Sequence, residues 1–269
     1  MKRSIDSILR QDIEPERVKE TERGWVVEKF TSMCYNNSDS RICECRKLEV
    51  YGGVKAMMEI NISPKQLYEG CIQAAIAYAV AVGMYPELNY EHSWDGINYS
   101  MNDSQGCRAT ITFHAEYIIA VFQDIHKVDW NIDALNFFDG ASEEIIQIAN
   151  NEALQYVLED VEGITKPVIS AAFWGTWEQL KSVQSLDEII ENGGYIIHSQ
   201  LLSYHVAMDE WRDYYNLDTQ QITLIQKLFD QKINSNGERL ALEDDEIQLL
   251  YGDLEECLVS LGELKFFKK

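Results

Sequence analysis

Proline and positive charge are both scarce in this chain. Four prolines in 269 residues leave no proline-rich linker, and neither an internal repeat nor a low-complexity tract marks a boundary. The longest apolar run, residues 71–84, is interrupted by Gln73 and is too short for a hydrocarbon layer of roughly 30 Å. There is no GxGxxG, Walker A loop, GxSxG elbow, HExxH or protein-kinase set, which weighs against the common nucleotide-binding and hydrolytic classes. Residues 4–13 carry Asp6, Arg10 and Asp12 in place of the apolar core of a signal peptide. The six cysteines, at 34, 43, 45, 71, 107 and 257, are too scattered for a small disulfide framework. Reduced thiols and a cytoplasmic location are therefore expected.

Acid is abundant. There are 45 Asp and Glu against 23 Lys and Arg, a net charge of -22. Residues 1–130 account for -5 of this and residues 131–269 for -17. Such a surface repels phosphate, which disfavours direct nucleic-acid binding, and it repels anionic membranes too. It attracts basic protein surfaces and speeds encounter with them. Acidity also aids solubility without any partner. Hydrophobic residues make up 46%, enough for a sizeable core and against global disorder.

Periodicity predicts an α+β fold. The N-terminal part reads as a mainly antiparallel sheet with one packed helix, in the order β-β-β-α-β-β, followed by a helical C-terminal half. The division falls at 1–130 and 131–269, and one continuous domain is the alternative. Residues 4–13 suit a short helix, 25–35 and 41–51 suit strands, and Gly52-Gly53 suits a hairpin leading to a strand over 54–62. Ser63, Pro64 and Gln66 predict a capped helix from 64 to about 82, stopping at Gly83. Residues 96–101 and 107–122 read as a hairpin. Its second arm alternates from Cys107 to Val121, with Arg108, Thr112, His114 and Glu116 on the polar face. Helices are expected over 143–160, capped by Ser142, and over 167–183, with Gly175 a weak point. Others are expected after Ser185, through Ile197, Leu201, Tyr204, Met208, Trp211 and Tyr215, after Asp218, and over the last apolar face from Ile247 to Leu261.

Several residue groups could carry chemistry. Cys34, Cys43 and Cys45 could converge across a hairpin and suit zinc, although a fourth ligand is not identifiable and no other cofactor is expected. His114 with Glu116 could move protons from one strand face, and the competing reading is a hydrated sheet surface. Cys107 could act as a thiol nucleophile, but its place in an apolar alternation favours a core thiol. The stretch 85–95 gathers Tyr90, Glu91, His92, Trp94 and Asp95. Tyr90, Trp94 and Asp95 could anchor a partner, and Glu91, His92 and Asp95 could instead serve an active site or hold a cation. His198 and His205 fall near one helix side, where a structural role is favoured over ligation, and residues 173–177 are rich in aromatics and could form a hot spot, with core packing the favoured reading. Glu243, Asp244, Asp245 and Glu246 suit a helix start and also a basic partner, but lack the ligand spacing of a calcium loop.

The functional expectation is an acidic protein-binding inhibitor. A toxin immunity protein, or a phage or plasmid anti-defence protein that occludes a basic nucleic-acid-processing partner, fits this charge. The alternatives are an enzyme centred on His92 or His114, and a structural or scaffolding protein. Homo-oligomerisation stays open, because nothing in the sequence sets a symmetry.

Overall fold

A computed structural model describes residues 17–21, 24–31, 45–50 and 57–269, except 89 and 236. Three strands, β1 (Arg17–Thr21), β2 (Gly24–Thr31) and β3 (Cys45–Val50), form an antiparallel sheet in the order β1-β2-β3, with Thr31 opposite Cys45. The helix expected over 4–13, the Gly52-Gly53 hairpin and the first part of the strand over 54–62 lie outside the described residues.

The second sheet has seven strands. They are β4 (Met58–Ile60), β5 (His92–Asp95), β6 (Asn98–Asn102), β7 (Cys107–Phe113), β8 (Tyr117–Asp124), β11 (Ala171–Thr176) and β12 (Leu180–Ser182). Their order is β4-β12-β11-β8-β7-β6-β5, and every pairing is antiparallel. Between β8 and β11 come α2 (Glu143–Asn151) and a two-stranded ribbon of β9 (Leu158–Val161) and β10 (Ile164–Pro167).

The expected long strand over 107–122 is a hairpin, turned at His114–Glu116. Phe113 pairs with Ile118, so odd positions of β7 lie opposite even positions of β8. Opposite residues share a face. Ala109 and Ile111 therefore join Ile118, Ala120 and Phe122 on one core, while Ile119 and Val121 turn to another. The alternation continued through the turn by coincidence.

β8 and β11 are buried on both faces. On one side Phe122, Ala171 and Phe173 pack under helices; on the other, Val121, Ala172 and Trp174 meet Phe138, Ile145 and Leu154. This double burial corrects the helix expected over 167–183. A strand buried on both sides shows a continuous apolar run, which periodicity alone cannot tell from a core helix. Gly175, a weak point in the expected helix, sits near the end of β11 where the chain turns into β12: an added Cβ would lie 2.1 Å from the Gln179 carbonyl oxygen. The helix expected over 143–160 likewise stops at Asn151 and gives way to β9.

α1 (Pro64–Ala81) is the embedded helix. Ser63 Oγ accepts from Gln66 N at 3.3 Å and Pro64 occupies the first turn. Gln66 does not complete the box; its Nε2 donates to Leu201 O at 2.6 Å. Starting seven residues before the apolar run and continuing through a 3-10 turn, Pro64–Met84 is by length and composition alone able to cross a membrane. Of its most apolar stretch, 83% is buried within this fold, where it packs against later helices. Gly70 permits that closeness: a Cβ there would lie 2.0 Å from the Gln200 carbonyl oxygen.

From Ser185 onward the chain is mostly helical. It contains α3 (Leu186–Glu191), 3-10 turns at Gly194–Ile197 and Ser199–Leu201, α4 (Tyr204–Tyr214), α5 (Thr219–Asn234), α6 (Asp244–Ile247) and α7 (Leu254–Glu263). Ser185 with Glu188 and Asp218 with Gln221 form the expected capping boxes. The face expected as one helix from 197 to 215 is broken after Leu201, and only α4 is regular. The expected last helix is split into α6 and α7, and a short parallel pair, β13 (Leu240–Leu242) and β14 (Phe266–Lys268), was not foreseen. The architecture is thus an N-terminal sheet region with one embedded helix and a mostly helical C-terminal half, with β11 and β12 added to the sheet from beyond residue 130.

Candidate functional site

α4 places two kinds of side chain on two sides. Ala207, Met208 and Trp211 point into the core, and Glu210, Asp213 and Tyr214 follow one another at helical spacing beside them. Opposite stand the 3-10 turns carrying Tyr195 and His198, and Glu91, Met101 and Asp103 from the β5–β6 end of the sheet. Together they enclose an open cleft of about 560 Å³. Its walls hold four carboxylates, Glu91, Asp103, Glu210 and Asp213, beside Tyr195, Trp211 and Tyr214. Among the described residues, neither Lys nor Arg lines it.

Glu91 is held by its backbone from both sides. Its N–H donates to Leu88 O at 3.0 Å, and its carbonyl accepts from Asn102 N at 2.9 Å. The preceding Tyr90 has φ of 67°, an uncommon left-handed value that turns the chain into β5. The Glu91 side chain accepts from Tyr214 Oη at 2.5 Å and Tyr215 Oη at 2.9 Å. Burial raises its pKa despite these two bonds, because removal from water disfavours the charged carboxylate and no cation pairs with it among the described residues. Burial and the adjoining carboxylate push both phenols upward as well, so they remain donors.

The other cleft acids are bonded differently. Asp103 accepts from Gln105 N at 2.7 Å and Cys107 N at 2.9 Å, fixing the β6–β7 turn. Glu210 accepts from Ser199 Oγ at 2.5 Å, with His198 Nε2 at 3.8 Å. Asp213 pairs with Arg212 at 3.0 Å, and Arg212 also reaches Asp209 at 2.7 Å.

Behind the cleft lies a buried polar row. Gln200 Nε2 donates to Tyr99 Oη at 2.7 Å, and Tyr99 Oη lies 2.7 Å from His92 Nδ1. With Gln200 donating, the phenol hydrogen goes to Nδ1 and the imidazole proton belongs on Nε2, which has no hydrogen-bond partner among the described residues. Burial among Tyr78, Tyr99 and Trp211 pushes the His92 pKa down to about 3, so the ring is neutral at neutral pH. A base this weak, bonded to a phenol, is poorly matched to proton transfer near pH 7.

The remaining candidates are placed apart from the cleft. His114 and Glu116 occupy the β7–β8 turn, where the Glu116 N–H, and not its carboxylate, meets His114 Nδ1 at 3.3 Å. Trp94 stacks on Phe113 with ring centroids 5.8 Å apart, and its backbone N–H donates to Glu263 at 2.7 Å. Asp95 accepts from Tyr156 Oη at 2.8 Å. Tyr90 is 74% exposed. Glu243 pairs with Lys269 at 2.5 Å and Glu246, only 3% exposed, with Lys227 at 2.8 Å. Asp244 and Asp245 are exposed between them. Cys34 and Cys43 lie outside the described residues, and Cys45 is described only as backbone in β3. Among the described residues no group of three or more His, Cys, Asp or Glu could hold a metal ion. Cys71, Cys107 and Cys257 are buried, and burial lifts all three thiols, Cys107 to about 11, which suits inert core groups.

Of the residues singled out in the sequence, Glu91 and the exposed His198 reach the cleft, and His92 lies just behind it. Asp103, Tyr195, Glu210, Asp213 and Tyr214 were not found. The usable signal was Tyr214, a large aromatic on the polar side of α4 between Asp213 and the inward Tyr215. Comparison with known protein families, curated proteins and solved structures finds no match to this chain.

Proposed function

We propose that this protein is an acidic inhibitor that binds a basic protein partner, as a toxin immunity protein or a phage or plasmid anti-defence protein would, and occludes a nucleic-acid-processing surface. The observation that carries the reading is the cleft of Glu91, Asp103, Glu210 and Asp213 with aromatic walls and neither Lys nor Arg in its lining. The net charge of -22 acts at a distance by steering basic partners inward. The cleft acts at contact, where aromatic faces and half-buried carboxylates hold a cation that solvent would otherwise keep. Catalysis is supported less well: His92 is neutral behind the wall, His114 sits in a turn, and the described thiols are buried. A cytoplasmic location belongs to this same reading.

The test is reconstitution. Immobilised protein should retain a basic, nucleic-acid-processing partner at low salt and release it at high salt, and the purified pair should show the partner's activity suppressed. A retained partner that keeps full activity in the complex would end the inhibitor reading. Failure to retain any basic protein at low salt would end the partner reading as well.

A further inference from the structure

We infer that the cleft is a socket for a guanidinium, so that the basic partner presents an arginine side chain to Glu91. This rests on the reading above that the partner is basic, and it adds which cation is recognised and where. Buried carboxylates are ordinarily paired with a cation. Glu91 is 7% exposed and its bonds come from two neutral phenols. A guanidinium entering the cleft supplies the missing charge, and its flat fork can engage one carboxylate oxygen while its face lies on a ring.

The walls suit that shape. Tyr214 is 55% exposed and donates to Glu91, so its ring borders the carboxylate and the opening together. Trp211, 4% exposed, lines the cleft too, and its buried Nε1 has no hydrogen-bond partner among the described residues. Asp103, whose bonds come from backbone N–H groups, offers a second uncompensated charge across the cleft. An ammonium is a more strongly hydrated point charge, and it gains less from rings and costs more to desolvate. The cleft, at about 560 Å³, also has room for more than one side chain, as a peptide segment requires.

The experiment titrates a capped peptide, one arginine flanked by glycine and serine, into the full chain and follows binding by calorimetry. Lysine and citrulline peptides of the same sequence are the comparators. The arginine peptide should saturate, the lysine peptide should bind at least about fivefold more weakly, and the neutral citrulline peptide should not bind. Glu91→Gln should weaken arginine binding by at least about tenfold with the fold intact. Tyr214→Phe, which keeps the ring and frees Glu91 Oε1, should hold or raise affinity, whereas Tyr214→Ala should lower it. Should Glu91→Gln fail to fold, the two Tyr214 variants still decide. Equal binding of lysine and arginine, no saturation by arginine, or equal effects of Phe and Ala at 214 would overturn the socket. If a basic protein is still retained while the arginine peptide is silent, the socket is wrong and the partner reading stands. If neither binds, both are lost.

Discussion

Two clusters of carboxylates behave in opposite ways. Glu243, Asp244, Asp245 and Glu246 are consecutive in the chain, and the fold consumes half of them. Glu246 closes a capping box at the start of α6 and pairs with Lys227, and Glu243 pairs with Lys269. The four cleft acids come from three separate segments, and two of them, Glu91 and Asp103, take bonds from neutral donors. Density of charge along a sequence marks a helix start as readily as a site. Convergence of charge in space is the better guide to a ligand.

The largest effect that would sharpen this contrast concerns the support of the cleft. His92 takes up its proton near 6.5 when unfolded and only near 3 when folded. Its contribution to stability is therefore complete above 6.5 and is lost as the pH falls towards 3. At about 1.4 kcal/mol for each pH unit, the loss is up to roughly 5 kcal/mol. Thermal melts of His92→Phe should show a clearly flatter decline between pH 6.5 and 4 than the parent. An identical decline in both would mean that His92 does not set the acid limit.

The next effect tests α6. Glu246→Ala removes a buried acceptor and the cap it provides, and should cost about 1–2 kcal/mol in denaturant unfolding, discounted because Lys227 stays half exposed. A loss below a few tenths would show that this acid is as free as those of the cleft. Glu91 acts in the reverse sense. Its folded pKa lies above 4.5, so the protein should lose stability as the pH rises through that range, and Glu91→Gln should remove this loss. A melting profile over pH 4–7 decides, and parallel curves would break the claim that the carboxylate is short of a cation.

The smallest effect on stability should be the largest on binding. Asp213→Lys on the exposed side of α4 should change unfolding by no more than about 0.5 kcal/mol and still weaken a basic partner severely. The same reversal at Asp244 should leave binding near its starting value. If Asp244→Lys weakens the partner as much as Asp213→Lys, the two clusters are equivalent and the cleft has no special standing.

Local signals were legible where the chain answers to its neighbours. Ser63, Ser142, Ser185 and Asp218 cap the helices that their spacing announced. What failed was long-range. The alternation from Cys107 to Val121 ran through a turn that reverses its phase. The stretch from Ala171 to Thr176 lost its strand signature because both of its faces meet core. The cleft was half visible at Glu91, since an aromatic and acidic stretch draws notice, and invisible at Asp103 and Asp213. Their own bonds are local, but they face each other across the cleft from about a hundred residues apart, and nothing adjacent in sequence announces that meeting.

The burial of α1 bears on how the chain is made. Ala81 ends that helix, and Leu254 begins one of those that cover it, 173 residues later. At roughly 5–20 residues per second, a ribosome leaves this greasy rod uncovered for something like ten to thirty seconds. Until α7 emerges, the nascent chain offers chaperones and membranes an apolar handle, and a stop codon before Leu254 should raise the share of product that aggregates, as sedimentation would read it.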